Sequence, residues 1–420
     1  MERREFATVV GAIAASERLR IVDLGLRIRR ARPPESKIRN PQSAIRNSQE
    51  PSLPPEVFQR RLQRAQAELK ARKLDLLIAT PSTNFEYLTS YNPGRSERLI
   101  ALLLPVDGTP AVVCPSFEVE RMRRHSVIAD LRGWEEQGDP FAVVRETVRR
   151  LGTGSSGGTK GTLALESSTA YDTSLRLAAA LPGWKLVDAA PVTERLRVIK
   201  APEEIALLRR AIAITQDAMA ATFAQLAVGA SELEVARVLS QEMQRRGAPG
   251  GGLVQFGPSS ALPHGGPAGP TLERETVVLI DCGCRVAGYT SDITRTIWFG
   301  SSPSAEFRKV FNVLHDAQTA AMDLGRPGTP CQQMDRAARQ VITAAGYGSF
   351  FTHRLGHGLG MDGHEPAYLV EGNMTPLEPG MVFTIEPGIY QLGKFGVRIE
   401  DDCVMTDRGV EVLSQRAAKL

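Results

Sequence analysis

Four apolar segments in the second half of the chain carry a carboxylate at one end, and this pattern limits what the chain can fold into. The four acids are Asp281, Asp292, Glu386 and Glu400. An ionised carboxylate is costly to bury unless it is paired, hydrogen-bonded or bound to a metal. One such acid is commonly a satisfied core group, but four independent core hydrogen bonds are a poor explanation. The pattern therefore favours a shared site.

The spacing of these acids predicts that they face one another in pairs. A turn centred on residues 286–287 would place Asp281 opposite Asp292 in a hairpin. Glu386 and Glu400 are related in the same way, and the residue midway between them is a glycine. Directly opposed side chains have Cβ atoms about 5 Å apart. Two carboxylates at that distance repel each other unless a divalent cation lies between them.

A glycine-rich segment with three histidines, His353, His357 and His364, lies between the two predicted hairpins. The whole chain has six histidines, so this clustering favours a functional role. The glycines allow the backbone to approach a site closely. Carboxylates with one imidazole suit Mn²⁺, Co²⁺ or Zn²⁺. Two such ions can share one water, lower its pKa and so hydrolyse amides or phosphates.

Composition excludes several other classes of protein. The 420 residues, 42% of them hydrophobic, suffice for two domains. The net charge is +4, from 51 basic and 47 acidic residues, and aromatic residues make up 6%, which argues against a nucleic-acid partner. No apolar run reaches the length of about eighteen residues that a membrane span requires, so we expect no stable membrane insertion. The five cysteines are expected to be buried free thiols.

Hydrophobic and turn-forming residues divide the chain into three parts. Residues 1–54 are predicted to be a disordered or targeting extension, because much of this part is polar, basic and proline-rich. Arg3 and Arg4 precede a short run of small residues, as in a twin-arginine export signal, but no cleavage region follows. We therefore expect a cytoplasmic protein, with export as the alternative. Residues 55–192 alternate strands and helices, which predicts an α/β domain, and residues 193–420 have an α+β pattern.

Five motifs resemble those of the "pita-bread" metallopeptidases, in particular the proline-specific branch of Xaa-Pro aminopeptidases and Xaa-Pro dipeptidases (prolidases). The motifs are LIDCG (279–283), GYTSDITRT (288–296), GHGLG (356–360), TIEPGIY (384–390) and GVRIED (396–401). The resemblance covers residues 55–418 and includes a creatinase-type N-terminal domain. It implies a pita-bread catalytic domain over residues 193–420. It also implies hydrolysis of the bond before proline by a hydroxide that bridges two metal ions.

The resemblance further implies a role for each matching residue. The metal ligands would be Asp281, Asp292, His357, Glu386 and Glu400, with Asp292 and Glu400 bridging the two ions. Glu386 would also act as a proton shuttle for the attacking water. The residues expected to bind substrate or support catalysis are His264, His353, His364, Tyr390 and Arg398. The cofactor would be two divalent ions, with Mn²⁺ favoured over Co²⁺ and Zn²⁺. The partners would be proline-containing peptides and a second copy in a homodimer.

Three alternatives accompany this prediction. The protein could act only on Xaa-Pro dipeptides, since the length of the chain fits dipeptidases and aminopeptidases equally. Methionine aminopeptidases generally lack the additional N-terminal domain and are disfavoured. Creatinase and non-catalytic relatives share the fold but have lost ligand positions, whereas this chain keeps all five. A non-catalytic peptide- or metal-binding protein is therefore the remaining alternative from another class.

Overall fold

The structure is a computed structural model, and it describes residues 53–266 and 269–420. The candidate export signal, with Arg3 and Arg4, lies outside the described residues, as does nearly all of the predicted extension 1–54. Among the described residues, no helix combines the length and the apolar character that crossing a bilayer would require.

The first part of the described chain is built on a six-stranded mixed sheet. Its strands are β1 (Leu76–Ala79), β2 (Ala101–Pro105), β3 (Ala111–Pro115), β4 (Asp130–Trp134), β5 (Gly161–Leu165) and β6 (Trp184–Asp188). Their order in the sheet is β4-β3-β2-β1-β5-β6. Strand β2 runs antiparallel to β1 and β3, and the other neighbours are parallel. The helices are α1 (Pro55–Ala71), α2 (Thr83–Thr89), α3 (Val119–His125), α4 (Pro140–Leu151), α5 (Tyr171–Ala180) and α6 (Ala190–Val198).

The central strand β1 explains why this part forms layers. All four of its residues are apolar and fully buried, so both faces of the sheet need cover. Leu77 belongs to the same core as Leu69 of α1, whereas Leu76 belongs to the core that contains Val144 of α4. Helices therefore cover both faces, and the predicted α/β architecture of the N-terminal domain is confirmed.

The second part of the described chain combines helices with short, mostly antiparallel strands. Its helices are α7 (Pro202–Phe223), α8 (Glu232–Arg245), α9 (Ala305–Leu324) and α10 (Cys331–Ala344). Its strands are β7 (Gly250–Phe256), β8 (Thr276–Val286), β9 (Tyr289–Thr290), β10 (Ile293–Phe299), β11 (Gly356–Gly358), β12 (Glu365–Leu369), β13 (Val382–Ile385), β14 (Gly388–Gln391), β15 (Phe395–Arg398), β16 (Asp401–Thr406) and β17 (Gly409–Val412). They form a β10-β8-β7 sheet with β9 paired to β8, a β12-β11-β13-β16-β17 sheet and a β14-β15 hairpin. This confirms the predicted α+β fold.

Local signals position the helices that support these sheets. Ser231 and Glu234 form a reciprocal capping box at the start of α8. Pro202 is the first residue of α7, where its missing N–H leaves no helical hydrogen bond unmade. Helices α7 and α8 pack against β8 and β7. The helices therefore cover one face of this sheet and leave the other face available for a site.

The first predicted hairpin pairing is wrong by two residues. Asp281 lies opposite Thr294, whereas Asp292 falls in the short gap between β9 and β10. The two-residue turn is Ala287-Gly288, with φ angles of 48° and 87°. A turn of this kind requires positive φ at both central positions, and glycine adopts such angles without steric cost. The centre of the turn therefore lies one residue further along the chain than predicted. As a result, each residue of β8 pairs with a residue two positions further along the chain than expected.

The register of the second predicted hairpin is confirmed for β14 and β15. Gly388 pairs with Arg398 and Tyr390 with Gly396, so the pairing is centred on Gly393. Glu386 and Glu400 lie two residues beyond the last pair, outside the ladder. The connecting loop contains Gly393 at φ 79°, which is the left-handed conformation that glycine accommodates.

All five cysteines are free and buried, as predicted. Cys282 is nearly inaccessible, and the sulfur of Cys284 lies 3.3 Å from Thr215 Oγ1 on α7. Both therefore face the helix layer, on the side of β8 opposite Asp281.

Candidate metal centre

The two aspartates of the first hairpin approach the site by different routes. Asp281 projects from the middle of β8, and its Oδ2 accepts a hydrogen bond from Arg398 Nη2 at 2.7 Å. Asp292 lies in an irregular segment, and its backbone N–H donates to Oδ2 of Asp402 at 3.1 Å. Strand pairing thus positions the carboxylate of Asp281, whereas the side chain of Asp402 positions Asp292.

The two glutamates of the second hairpin lie where β13 and β15 end. Glu400 follows β15, and its Oε2 accepts a 2.6 Å hydrogen bond from the Thr294 hydroxyl. Glu386 follows β13, and its Oε1 lies 3.3 Å from Nε2 of His357. Both carboxylates are thus brought to the open face of the β10-β8-β7 sheet.

His357 directs one ring nitrogen into this group of acids. Its Nδ1 lies 3.1 Å from the carbonyl oxygen of Gly358, which can only accept, so Nδ1 carries the proton. The lone pair of Nε2 therefore points toward Glu386 and Asp292. Burial lowers the pKa of His357 to about 3, which keeps the ring neutral and able to bind a metal.

The five predicted ligand residues form two overlapping groups that could each hold a metal ion. One group is Asp281, Asp292 and Glu400, and the other is His357, Glu386 and Glu400. Within each group, the ligand atoms lie within 4.8 Å of one another. Glu400 belongs to both groups. An arrangement with one shared carboxylate suits two neighbouring ions.

The electrostatics of the acids also fit cations. Burial raises the pKa values of Asp292, Glu386 and Glu400, and repulsion between the carboxylates raises them further. Such a cluster is unfavourable as charged groups alone, and divalent cations would relieve the repulsion. The donor set of carboxylate oxygens and one imidazole suits Mn²⁺, Co²⁺ or Zn²⁺.

The remaining predicted site residues surround the same open space, except for one. A cavity of about 450 Å³ is lined by Pro263, His264, Asp281, Asp292, His353, Arg354, His357, His364, Glu386, Arg398 and Glu400. Tyr390 is not part of this lining; it is buried behind Arg398. His264 is exposed at the cavity, between the hairpins and solvent.

A chain of hydrogen bonds connects the cavity wall to Asp281, one of the predicted ligands. Arg398 donates from Nη1 to the Tyr390 hydroxyl at 2.8 Å. That hydroxyl lies 2.8 Å from Nε2 of His353, whose Nδ1 lies 2.7 Å from the carbonyl oxygen of Arg354. Both ring nitrogens of His353 therefore have protein partners. Burial lowers the pKa of His353 to about 4, so the chain connects a neutral imidazole to a charged guanidinium.

His364 lies against His357 and faces solvent on its other side. Its ring centroid is 4.0 Å from that of His357. Nδ1 of His364 lies 3.2 Å from Nη2 of Arg354, and a guanidinium can only donate. Nδ1 therefore accepts, and the proton of the neutral ring is on Nε2. The partial burial of His364 lowers its pKa, which favours this neutral form.

Three residues that shape the site were not predicted. Thr294 bonds Glu400, Asp402 holds the backbone of Asp292, and Arg354 contacts His364. Thr294 lies inside the motif 288–296, and Arg354 directly follows His353 in the glycine-rich segment, and these positions were the available signal. Asp402 became visible only through strand pairing, because it acts on Asp292 across a sequence gap of more than one hundred residues.

Asp401 faces away from the cavity. Its carboxylate accepts from Arg295 at 2.6 Å, Gln318 at 2.9 Å and Ser414 at 2.6 Å. These bonds satisfy a fully buried charge, so Asp401 stabilises the fold beneath the site.

The N-terminal domain, whose last helix α6 extends past the predicted boundary at residue 192, contacts the loop that carries His364. Thr83 of α2 donates to Asp362 Oδ1 at 2.6 Å, and Arg197 of α6 donates to Asp362 Oδ2 at the same distance. Arg197 also pairs with Glu365. Asp362 and Glu365 flank His364 in sequence, so residues of both domains position this histidine.

Comparisons with known proteins agree with this geometry. Metallopeptidase family M24 matches residues 206–407, and the creatinase/prolidase N-terminal domain matches residues 61–199. An uncharacterized peptidase of Staphylococcus aureus is 35% identical over 353 residues, which are 83% of this chain and 96% of that protein.

Solved structures with the same two-domain arrangement are also similar. The dipeptidase PepE from Mycobacterium ulcerans has a TM-score of 0.81 and 35% identity, with 88% of this chain and 99% of that one covered. A prolidase from Thermococcus sibiricus has a TM-score of 0.79 and 32% identity, with 88% and 99% covered. The chain therefore belongs to metallopeptidase family M24, with a creatinase/prolidase-type N-terminal domain before its pita-bread domain.

Proposed function

We propose that this protein is a dinuclear-metal-dependent peptidase that hydrolyses the Xaa-Pro bond at the N-terminus of peptides or in dipeptides. The observation that carries the proposal is the pair of potential ligand groups that share Glu400. The similarity to a prolidase supports the preference for proline. The non-catalytic alternative is disfavoured because all five ligand positions are present and close together.

In this proposal, Asp281, Asp292 and Glu400 would hold one divalent ion, and His357, Glu386 and Glu400 would hold the other. Asp292, whose Oδ2 lies 3.8 Å from Nε2 of His357, would contact the second ion as well, as predicted. Manganese is the favoured metal, since four of the five ligands offer hard carboxylate oxygens. When bound, the two ions would lower the pKa of a shared water and polarise the scissile carbonyl group.

The side chains of the chain supply the remaining steps. Glu386 receives the proton of the attacking water and delivers it to the leaving proline nitrogen. His364, with its proton on Nε2, donates a hydrogen bond to the carbonyl oxygen as negative charge develops there. His264 contacts the substrate from the exposed side of the cavity. Arg398 orients the carboxylate of Asp281, and Tyr390, which is itself bonded to His353, holds that arginine.

The test is hydrolysis of Ala-Pro and Ala-Pro-Ala by the manganese-loaded protein, with Ala-Ala-Ala as the control peptide. We expect release of alanine from at least one proline peptide and none from the control. Cleavage of Ala-Pro alone identifies a dipeptidase, and cleavage of Ala-Pro-Ala identifies an aminopeptidase. Absence of cleavage of both peptides, with two ions bound, would contradict the proposal.

A variant of one ligand links the activity to the site. Asp292→Ala should abolish hydrolysis and lower the bound metal below two ions per chain, as measured by elemental analysis. Asp316→Ala is the matched control, because Asp316 is half-exposed on α9 and pairs with Lys419 far from the cavity. An Asp292→Ala protein that retains two tightly bound ions would remove Asp292 from the ligand set.

A further inference from the structure

The loop that carries His264 is held by a carboxylate from outside the candidate metal centre. Glu232 is the first residue of α8, and its Oε1 accepts hydrogen bonds from the backbone N–H of Phe256 at 2.8 Å and from the Ser259 hydroxyl. Its Oε2 accepts from the backbone N–H of Gly269 at 3.0 Å. His264 lies midway between Ser259 and Gly269 in the sequence. A single side chain therefore bonds the chain on both sides of His264.

The contact with Gly269 leaves no room for a side chain at that position. A Cβ atom at position 269 would lie 2.2 Å from Oε1 of Glu232 and 2.7 Å from Oε2. Both distances are far below the separation at which non-bonded atoms attract each other. The carboxylate thus lies directly against the backbone, and glycine permits this close approach.

Other hydrogen bonds hold the first part of the same loop. Nε2 of Gln255, in β7, donates to the carbonyl oxygen of Leu262 at 3.0 Å. The Ser260 hydroxyl accepts from the backbone N–H of Gly396, in β15, at 2.8 Å. This part of the loop is therefore attached to strands of the catalytic domain. The bond from Gly269 to the helix-borne carboxylate then fixes the loop on its far side.

The exposure of His264 explains why its loop needs such support. An exposed side chain on an irregular loop can adopt several positions, and ordering it when the substrate binds costs conformational entropy. A loop that is already held on both sides avoids part of this cost. Support of the backbone should therefore favour substrate binding.

We propose that Glu232 is a positioning residue for His264: it anchors both sides of the loop and so holds the imidazole where it meets the substrate. The inference rests on the proposed function, in which His264 contacts the substrate. Glu232 does not line the cavity, so its effect passes through the loop. A carboxylate suits this role because both of its oxygens accept hydrogen bonds, whereas an amide has one accepting oxygen.

The experiment uses Glu232→Ala and Glu232→Gln, with Glu234→Ala as the matched control. Glu234 lies in the same turn of α8, but its carboxylate bonds Ser231 at the start of the helix. Gly269→Ala tests the anchor from its other partner. Backbone hydrogen exchange of residues 256–266 is followed by mass spectrometry, and exchange elsewhere reports whether each variant is folded. Steady-state kinetics on Ala-Pro and Ala-Pro-Ala and the metal content are measured for every protein.

We expect exchange in residues 256–266 to be roughly tenfold faster or more in Glu232→Ala than in the wild type. Glu232→Gln and Gly269→Ala should show smaller increases, and Glu234→Ala should show none. In Glu232→Ala, kcat/KM should fall roughly 10- to 100-fold, mainly through a higher KM, with two ions still bound. Glu234→Ala should retain the kinetics of the wild type.

A double-mutant cycle with His264→Ala identifies the route of the effect. If Glu232 acts through His264, Glu232→Ala should cause little further loss of kcat/KM in the His264→Ala protein. Additive losses would overturn the inference, as would unchanged exchange or a loss of bound metal in Glu232→Ala. A wild type with two bound ions that cleaves neither proline peptide would instead refute the proposed function, while the exchange measurement still decides whether Glu232 anchors the loop.

Discussion

Thr294 donates its hydroxyl to Glu400 at 2.6 Å while it stands directly opposite Asp281 in the β8–β10 ladder. The same hydroxyl accepts a hydrogen bond from Arg398 Nε at 3.1 Å. Thr294 thus connects one carboxylate from each hairpin. It bonds Glu400 directly, and it is linked to Asp281 through Arg398. Outer residues of this kind orient the ligands of a metal site.

Thr294→Val should weaken metal binding while preserving the shape of the side chain. The variant loses both hydrogen bonds and leaves Glu400 with one partner fewer, so we expect metal affinity to fall about 10- to 100-fold. Metal titration followed by calorimetry measures the effect. Thr222→Val is the matched control, since Thr222 is equally buried but bonds only the helix carbonyl of Ala218. Equal metal affinity in the two variants would contradict this role.

His364→Ala should lower kcat with no change in the number of bound ions. The variant removes a donor for the developing negative charge on the carbonyl oxygen, and the loss of one such donor typically costs about 10²- to 10³-fold in rate. Turnover of a proline peptide and elemental analysis are measured together. His125→Ala is the control, because His125 stacks on Tyr91 in the N-terminal domain. A drop in bound metal would instead make His364 a ligand.

Metal removal should make stability depend on pH in the range where the buried acids titrate. Burial and the neighbouring Asp281 raise the pKa of Glu400 to about 8 in the metal-free protein. A carboxyl group with a raised pKa binds more protons when folded than when unfolded. Stability of the metal-free protein should therefore fall as pH rises from about 4 toward 8.

Thermal unfolding with and without Mn²⁺, measured across that range, tests this expectation. The increase in Tm on adding metal should be largest at the upper end, because the ion competes with protons for the same oxygens. Asp292→Asn should show a smaller increase. An identical pH dependence in the presence of metal and of a chelator would contradict the prediction.

Glu365→Gln should destabilise the protein strongly. Glu365 is buried, which alone raises its pKa, but Lys200 and Arg197 together hold that pKa below its usual value. Lys200 is 2% exposed and lies 3.1 Å from Glu365, so the variant leaves a buried ammonium without its carboxylate. The expected cost is about 3–5 kcal/mol in the free energy of unfolding.

The lowered pKa of Glu365 also predicts how the stability of the protein changes at acidic pH. A carboxyl group with a lowered pKa contributes stability above its unfolded pKa and loses it as pH falls through the folded value. The wild type should therefore lose more stability than Glu365→Gln on acidification below about pH 4. Urea unfolding at several pH values measures both effects. Glu371→Gln, an exposed partner of Arg336, is the control with a small expected change.

Strand patterns and short motifs predicted most of the fold and brought the five ligand residues to attention. The alternation over residues 55–192 was predictable because strands such as β1 are continuous apolar runs. The Ser231–Glu234 capping box at the start of α8 is a local signal of the same kind. The second hairpin was predicted correctly because Gly393 lies at the centre of its loop.

The failures arose where geometry depends on distant parts of the chain. The position of a two-residue turn was misjudged by one residue, and Asp281 therefore pairs with Thr294. Asp402 of β16 accepts a hydrogen bond from the backbone of Asp292 in the gap before β10, and no local sequence pattern indicates this contact. The occupation of both His353 ring nitrogens likewise depends on Tyr390, which comes from another strand.

The bonds of Thr83 and Arg197 to Asp362 have a consequence for recombining relatives of this protein. A chimera that exchanges the N-terminal domain would also replace half of the anchor for the His364 loop. The hydroxyl at position 83, the guanidinium at position 197 and the carboxylate at position 362 must therefore be inherited together. A functional chimera must therefore combine the new N-terminal domain with a catalytic domain that keeps the matching carboxylate at position 362.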